Sequence, residues 1–172
     1  MSGHAADTAS LMLDCLPRLR RYARALVGSA AAADDLVQDT LERGWARIAL
    51  WQAGSDMRAW LFSIMHNVRI DQLRRQPAEP ELFDAELHAV AQAGDASSGL
   101  QLRDMETALR LLPEEQRQVL LLVGLEELRY EEVAALLQIP VGTVMSRLAR
   151  GREKLRTLMD GRPLHTPLKV VK

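Results

Sequence analysis

The sequence predicts an all-α protein made of two small helical domains joined by an acidic linker, on three observations. Of 172 residues, 29 are leucine and 23 alanine, both strong helix formers. Aromatic residues make up 4% of the chain and β-branched residues are sparse, which disfavours strands. Apolar residues recur at three- and four-residue steps through most of the chain, and one stretch of different character, Pro77 to Asp104, interrupts them. That stretch holds Pro77, Pro80, Gly94, Ser97, Ser98 and Gly99. The expected organisation is a helical domain over 1–76, a linker over 77–104, a second helical domain over 105–160 and a tail over 161–172.

In the first domain, Leu13, Leu16, Leu19, Tyr22, Ala23 and Leu26 share one helical face, and Gly28-Ser29 stops the pattern. A second helix, about 32–48, places Val37, Leu41, Trp45 and Ile48 toward a core and Asp35, Gln38, Asp39 and Glu42 toward the opposite side. A third, about 56–76, starts at Asp56 as N-cap and carries Leu61, Ile64 and Val68 inward. Its last turn has Arg74 and Arg75, where cations complement the helix dipole. Within the linker, Leu82, Phe83, Leu87 and Val90 are spaced to form a short docking helix; plain linker is the equal alternative.

The second domain opens with a helix over 105–112, breaks at Pro113 and resumes over 114–122 with acids at its start. Then come helices over 130–137 and about 141–159, separated by the turn Gln138-Ile139-Pro140. Two helices joined by a turn of three or four residues form the helix-turn-helix pattern, with the small Ala134 where they cross.

The formal net charge of −1 excludes an extended, strongly basic DNA-coating protein. It hides a gradient, +2 over 1–76, −5 over 77–104, −4 over 105–140 and +6 over 141–172, so positive charge gathers where it can meet phosphate. The longest uninterrupted run of apolar residues and glycine, Val119–Leu125, has seven residues, against roughly 20 for a membrane span, so no membrane insertion is expected. With Cys15 as the single cysteine there is no internal disulfide, and with no leader-like start the chain is expected in the cytoplasm. A buried helix position for Cys15 is favoured over a redox role.

Catalysis has little to stand on. His4, His66, His88 and His165 lack metal-ligand spacing, His66 reads as a surface helix residue, and no phosphate-cradling glycine loop or nucleophile elbow occurs. No cofactor and no metal are expected. The last helix is more informative: Val141, Val144, Leu148, Gly151, Leu155 and Leu158 form a packing stripe, and Thr143, Arg147, Arg150 and Lys154, with Ser146 beside them, form a second stripe expected to be exposed. Arginine bonds guanine bidentately and Ser or Thr bonds bases or phosphates, so this stripe suits a major groove; a solvated basic face is the alternative. Trp51, Trp60 and Phe62 cluster near a loop over 50–55 and suit either stacking on unpaired bases or closing a small core.

The blocks ADDLVQDTLERGWAR at 33–47, MRAWLFSIMHNVRIDQLRR at 57–75 and LPEEQRQVLLLVGLEELRYEEVAALLQIPVGTVMSRLARGREKLR at 112–156 resemble, in order and spacing, those of the extracytoplasmic-function (ECF) sigma factors. The resemblance implies a non-enzymatic specificity subunit that binds core RNA polymerase and directs promoter-specific initiation. It assigns Asp34, Asp35, Gln38, Asp39 and Arg43 to docking on the β′ clamp helices. It assigns Trp51, Asp56, Arg58 and Asn67 to opening and reading the −10 element, and the helix over 141–156, with Thr143, Ser146, Arg147, Arg150 and Lys154, to the −35 duplex. The surrounding domain would sit on the β flap, the linker would follow the nascent-RNA path, and an anti-sigma factor would hold the protein inactive. Met145 and Ala149 depart from the pattern of many relatives, so no promoter sequence carries over. A sigma-like decoy that binds an anti-sigma factor without touching DNA is the alternative.

Overall fold

A computed structural model describes residues 2–75 and 104–160, with side chains from Asp7 onward. The expected linker, with its docking helix, and the tail fall outside the described residues, except Asp104, which is helical. The described chain is helical throughout, without a strand: α1 Ser2–Val27, α2 Ala30–Ala46, α3 Met57–Arg75, α4 over 104–110, α5 Glu114–Gly124, α6 Tyr130–Leu137 and α7 Val141–Met159. A 3₁₀ turn, Ile48–Leu50, follows α2.

Local chemistry sets the boundaries. Gly28 takes φ +76° and its N–H bonds Arg24 O at 2.9 Å, closing α1 in the left-handed conformation that glycine adopts without strain. Ser29 then caps α2, accepting from the Ala32 N–H at 3.4 Å. The Asp56 carboxylate accepts from the N–H groups of Arg58 (2.9 Å) and Ala59 (3.3 Å), the N-cap expected for α3. The Arg129 N–H bonds the Glu132 carboxylate at 2.7 Å at the start of α6. Gln138, at φ +56°, turns the chain out of α6, and the Ile139 N–H returns to Ala134 O at 3.0 Å.

The core of the first unit is α1 on α2 on α3, around Leu19, Leu26, Leu36, Leu61, Phe62, Met65 and Val68, all almost fully buried. Tyr22 and Phe62 meet edge to face, centroids 5.0 Å apart. In the second unit Val119, Leu122, Val133, Val144 and Leu148 perform the same task between α5, α6 and α7. The units touch: α1 packs on α5 and α3 on α6, and the apolar cluster is continuous across them.

Three sequence expectations are corrected. Leu13 is 62% exposed and Met12 takes the buried place in α1. Pro17 has no N–H to bond the Leu13 carbonyl, and the exposed position leaves that carbonyl to water. Trp45 is 54% exposed because α2 is rotated, burying Ala33, Leu36, Thr40 and Gly44 beside the expected Val37. The lack of a side chain at Gly44 permits this: a Cβ there would lie 3.1 Å from Leu61 Cδ2 and 3.2 Å from Met12 Cε. His66 is partly buried rather than on the surface. Of the two readings open for Phe62, the core is the one it takes.

Candidate nucleic-acid interface

Three surfaces carry the residues singled out in the sequence. On α2, Asp34, Asp35 and Gln38 are exposed, with Gln38 donating to Glu42 at 3.0 Å. Asp39 and Arg43 are turned toward α3: Gln72 donates to Asp39 at 3.2 Å, and the Arg43 guanidinium bonds Asp71 at 2.6 Å. That bond holds the Asp71 carboxyl below the usual carboxylate range. The acidic face is thus the exposed Asp34 and Asp35, the Gln38–Glu42 pair and a cross-brace to α3.

The second surface is an open cleft of about 450 Å³ between α1 and the loop that leads into α3. Trp51, Asp56 and Arg58 line it together, as the sequence reading grouped them, and Leu11, Cys15 and Arg18 of α1 form the facing wall. Trp51 is half-buried against the core, yet its indole Nε1 is shielded from solvent without a hydrogen-bond partner. Cys15 is half-buried rather than fully buried, and burial, then the Asp56 carboxylate, push its thiol upward, away from the reactive thiolate. Asn67 is exposed but stands apart, eleven residues and so about 16 Å along α3 from Asp56.

The third surface is α7, second helix of the helix-turn-helix. Val144, Leu148 and Gly151 pack inward as expected. The polar stripe is only partly exposed, which corrects the sequence reading: Arg150 is open to solvent, whereas Thr143, Ser146, Arg147 and Lys154 are half-covered. The stripe lies on the flank of the buried face, where Arg147 reaches Glu115 of α5 at 2.8 Å and the Ser146 hydroxyl bonds Thr143 O at 3.1 Å. Arg150 makes no hydrogen bond or ion pair among the described residues. On the other flank, an apolar groove of about 290 Å³ runs between α5 and α7, with Met105, Leu120, Leu148, Leu155 and Met159 as lining and Arg152 and Arg156 at its edge.

Sequence reasoning missed a fourth constellation, the arginine–glutamate contacts between the units. Glu126, in the α5–α6 connection, is completely buried; its carboxylate meets Arg21 at 3.1 Å and Arg18 at 3.6 Å. The carbonyl of Glu126 accepts from Arg58 at 3.1 Å. Arg69 grips Glu114 with two bonds, 2.9 and 2.8 Å. Arg117 of α5 donates to Leu26 O at 2.5 Å. Beside these lies His66, whose imidazole burial holds it below its ordinary pKa, with Glu114 acting in the opposite sense and Arg147 adding to the depression. A signal was present: Arg58 and Arg69, eleven residues apart, share one helical face, and the chain's charge gradient sets a positive first unit against an acidic α4–α6. No cluster among the described residues has the makings of a metal site. No described helix is long and apolar enough to cross a membrane.

Comparison with known proteins agrees with this geometry. Residues 12–66 match the family described as the Sigma2 domain of PhyR, and residues 102–155 match Sigma-70, region 4. The chain is 38% identical over 149 residues to the ECF RNA polymerase sigma factor EcfG of Rhodopseudomonas palustris, covering 86% of this chain and 82% of that protein. It is 31% identical over 146 residues to the ECF sigma factor SigW of Bacillus subtilis, covering 76% and 77%. Among solved structures, the sigma factor RpoE of Bartonella quintana, crystallised with the anti-sigma factor NepR, superposes with a TM-score of 0.75 at 34% identity, covering 90% of this chain and 97% of that one. An all-helical chain with a loop cleft, a helix-turn-helix and these relatives belongs to the ECF RNA polymerase sigma factors.

Proposed function

We propose that the chain directs promoter-specific initiation by dividing recognition among the surfaces described above, all phosphodiester chemistry being left to the polymerase. Asp34, Asp35 and Gln38, braced from behind by Asp39 and Arg43, dock the β′ clamp helices. The cleft at Trp51, Asp56 and Arg58 receives a −10 base turned out of the stack, with Asn67 contacting the strand further along α3. Opening a base costs a few kcal/mol, comparable with one or two stacking and hydrogen-bonding contacts, so a shaped cleft can tip the balance.

On the −35 duplex, Arg150 is the leading base contact because nothing in the described chain competes for its guanidinium, whereas Arg147 must leave Glu115. Thr143, Ser146 and Lys154 serve the flanking phosphates. The apolar groove of α5 and α7 seats the β flap. An anti-sigma factor is the further partner, as in the Bartonella complex, and the protein acts in the cytoplasm where polymerase and promoter meet.

The observation that carries this reading is the pairing, on one chain, of an open cleft lined by Trp51, Asp56 and Arg58 with a helix-turn-helix that leaves Arg150 open. The match of residues 12–66 to the Sigma2 domain of PhyR, a protein crystallised as an anti-anti-sigma factor with the anti-sigma factor NepR, favours one second reading, a decoy that captures an anti-sigma factor. Run-off transcription with purified core polymerase on a genomic library separates the two. Promoter-specific transcripts, lost when Asp34 and Asp35 are changed to lysine, are the expected result; binding to an anti-sigma factor with no transcript from any promoter leaves the decoy.

A further inference from the structure

We propose that Arg18, Arg21 and Arg58 form a phosphate site for the separated −10 strand, seated at the rim of the cleft that takes its base. The proposal rests on the reading of that cleft given above and adds α1 to the surfaces that touch DNA.

The three side chains are gathered on an anion. The Glu126 carboxylate, fully inaccessible to solvent, meets Arg21 at 3.1 Å and Arg18 at 3.6 Å, and Arg58 donates to the carbonyl of the same residue at 3.1 Å. Arg18 and Arg21 lie three residues apart and so on one face of α1, and Arg58 reaches the same point from the first turn of α3. Three cations brought together repel unless an anion sits among them. The arrangement is therefore a receptor for negative charge.

A single carboxylate does not fill it. Glu126 Oε2 is buried without a hydrogen bond, and the Arg18 guanidinium stops 3.6 Å from it. Arg21 divides its donors between Glu126 Oε1 and Leu125 O, and Arg58 divides its own between Glu126 O and Asp56 Oδ2, the latter at 3.4 Å. A guanidinium carries five N–H donors in a planar fork suited to two oxygens of one anion, and none of the three makes such a paired bond among the described residues. Arg18 and Arg21 also keep 48% and 53% of their side chains open to solvent. Spare donors of this kind fit an anion with more oxygens, and a phosphodiester presents two non-bridging and two ester oxygens.

Position fixes the class of ligand. Arg18 and Arg58 line the base cleft as well, together with Trp51 and Asp56. A nucleotide carries base and phosphate on one sugar, so a phosphate site for the strand must border the base site, as this one does. Asp14 and Asp56 also line the cleft, and their charge turns a phosphate away from them toward the arginine rim. In the strand-bound form the phosphate takes the place held here by the Glu126 carboxylate.

The test is titration of a labelled promoter duplex, its −10 region premelted by mismatches, with the holoenzyme formed from core polymerase and the full chain. Arg18→Ala and Arg21→Ala should each weaken binding several-fold, by the same factor whatever bases occupy the −10 element, and each should lower the slope of log affinity against log salt by about 0.7. Arg20→Ala, exposed two positions from Arg18 and so on another side of α1, should change neither. Each phosphate of the −10 strand is then replaced in turn by an uncharged methylphosphonate. One linkage should cost wild type several-fold and the two variants little, while every other linkage costs all three alike. A variant that has merely shifted its fold loses the same factor at every linkage. Undiminished affinity in both variants, losses equal at all linkages, or a loss shared by Arg20→Ala would overturn the phosphate site. Wild-type holoenzyme that binds this DNA with no preference for its −10 bases overturns the cleft assignment instead.

Discussion

The two halves of the molecule bury their helices by different means. The α1–α3 unit uses long helices of 26, 17 and 19 residues, whose mutual rotation is decided by close approach at Gly44 and by the Tyr22–Phe62 contact. The α4–α7 unit places short helices, 11 residues in α5 and 8 in α6, ahead of the 19-residue α7, and sets their directions by turns: Pro113 before α5, Gln138 at φ +56° after α6, Pro140 before α7. Short helices gain little stability from their own hydrogen bonds. Their geometry therefore depends on chain punctuation, and that punctuation is written locally. Long helices leave their facing to be settled by the partner they meet.

The comparison can be broken most strongly in the first unit's core. Phe62→Ala should destabilise the protein by about 3–5 kcal/mol in chemical denaturation, since a nearly inaccessible ring is lost together with its edge-to-face partner. A loss below about 1 kcal/mol would mean that this core is looser than its burial implies. Next comes Gly44→Ala, expected to cost about 1–3 kcal/mol through overpacking, because the new methyl would press on Leu61 and Met12. Gly142→Ala, at the open start of α7, should be neutral or stabilising, since a Cβ there meets nothing within 4 Å.

For function, Arg150→Ala should weaken −35 duplex binding by about 1–3 kcal/mol without changing the melting temperature, as measured by titration of a labelled duplex with the polymerase holoenzyme. Arg147→Ala should lose less, because its guanidinium is already engaged by Glu115. Equal losses would mean that the Glu115 contact does not persist. Capping offers a smaller effect: Asp56→Ala should cost about 1 kcal/mol in thermal unfolding by freeing two N–H groups of α3.

The smallest effect is that of pH. Burial lowers the His66 pKa in the folded chain below its ordinary 6.5, so the unfolded chain takes up a proton first as pH falls. The His66 contribution to stability is present above that value and declines as pH drops below it. His66→Asn should flatten the melting temperature between pH 7 and 5.5, and an unchanged slope would remove His66 from the account.

How legible this was differs between the halves in the same physical sense. The turn Gln138-Ile139-Pro140, the extent of α7, the Asp56 cap and the Gly28 stop were all readable, because each is decided within a few residues by backbone conformation and capping chemistry. The inward stripe of α7 was readable for the same reason, being a local periodicity. Leu13 and Trp45 were misplaced because a helix with apolar residues on more than one side does not state which of them its neighbour will cover. The α7 polar stripe was read as more open than it is, because α5 brings Glu115 alongside Arg147 from 32 positions away.

Taken alone, the sequence determined the helical class, the two-unit organisation, the helix-turn-helix and the charge gradient, since composition, periodicity and turn residues act over short range. Tertiary structure decided which side chains share a site. It assembled the cleft from α1 and the Trp51–Met57 loop, turned Asp39 and Arg43 onto α3, and set Glu126 among Arg18, Arg21 and Arg58. Charges more than a hundred positions apart leave no local trace of their pairing, because only packing of the helices that carry them brings them within reach.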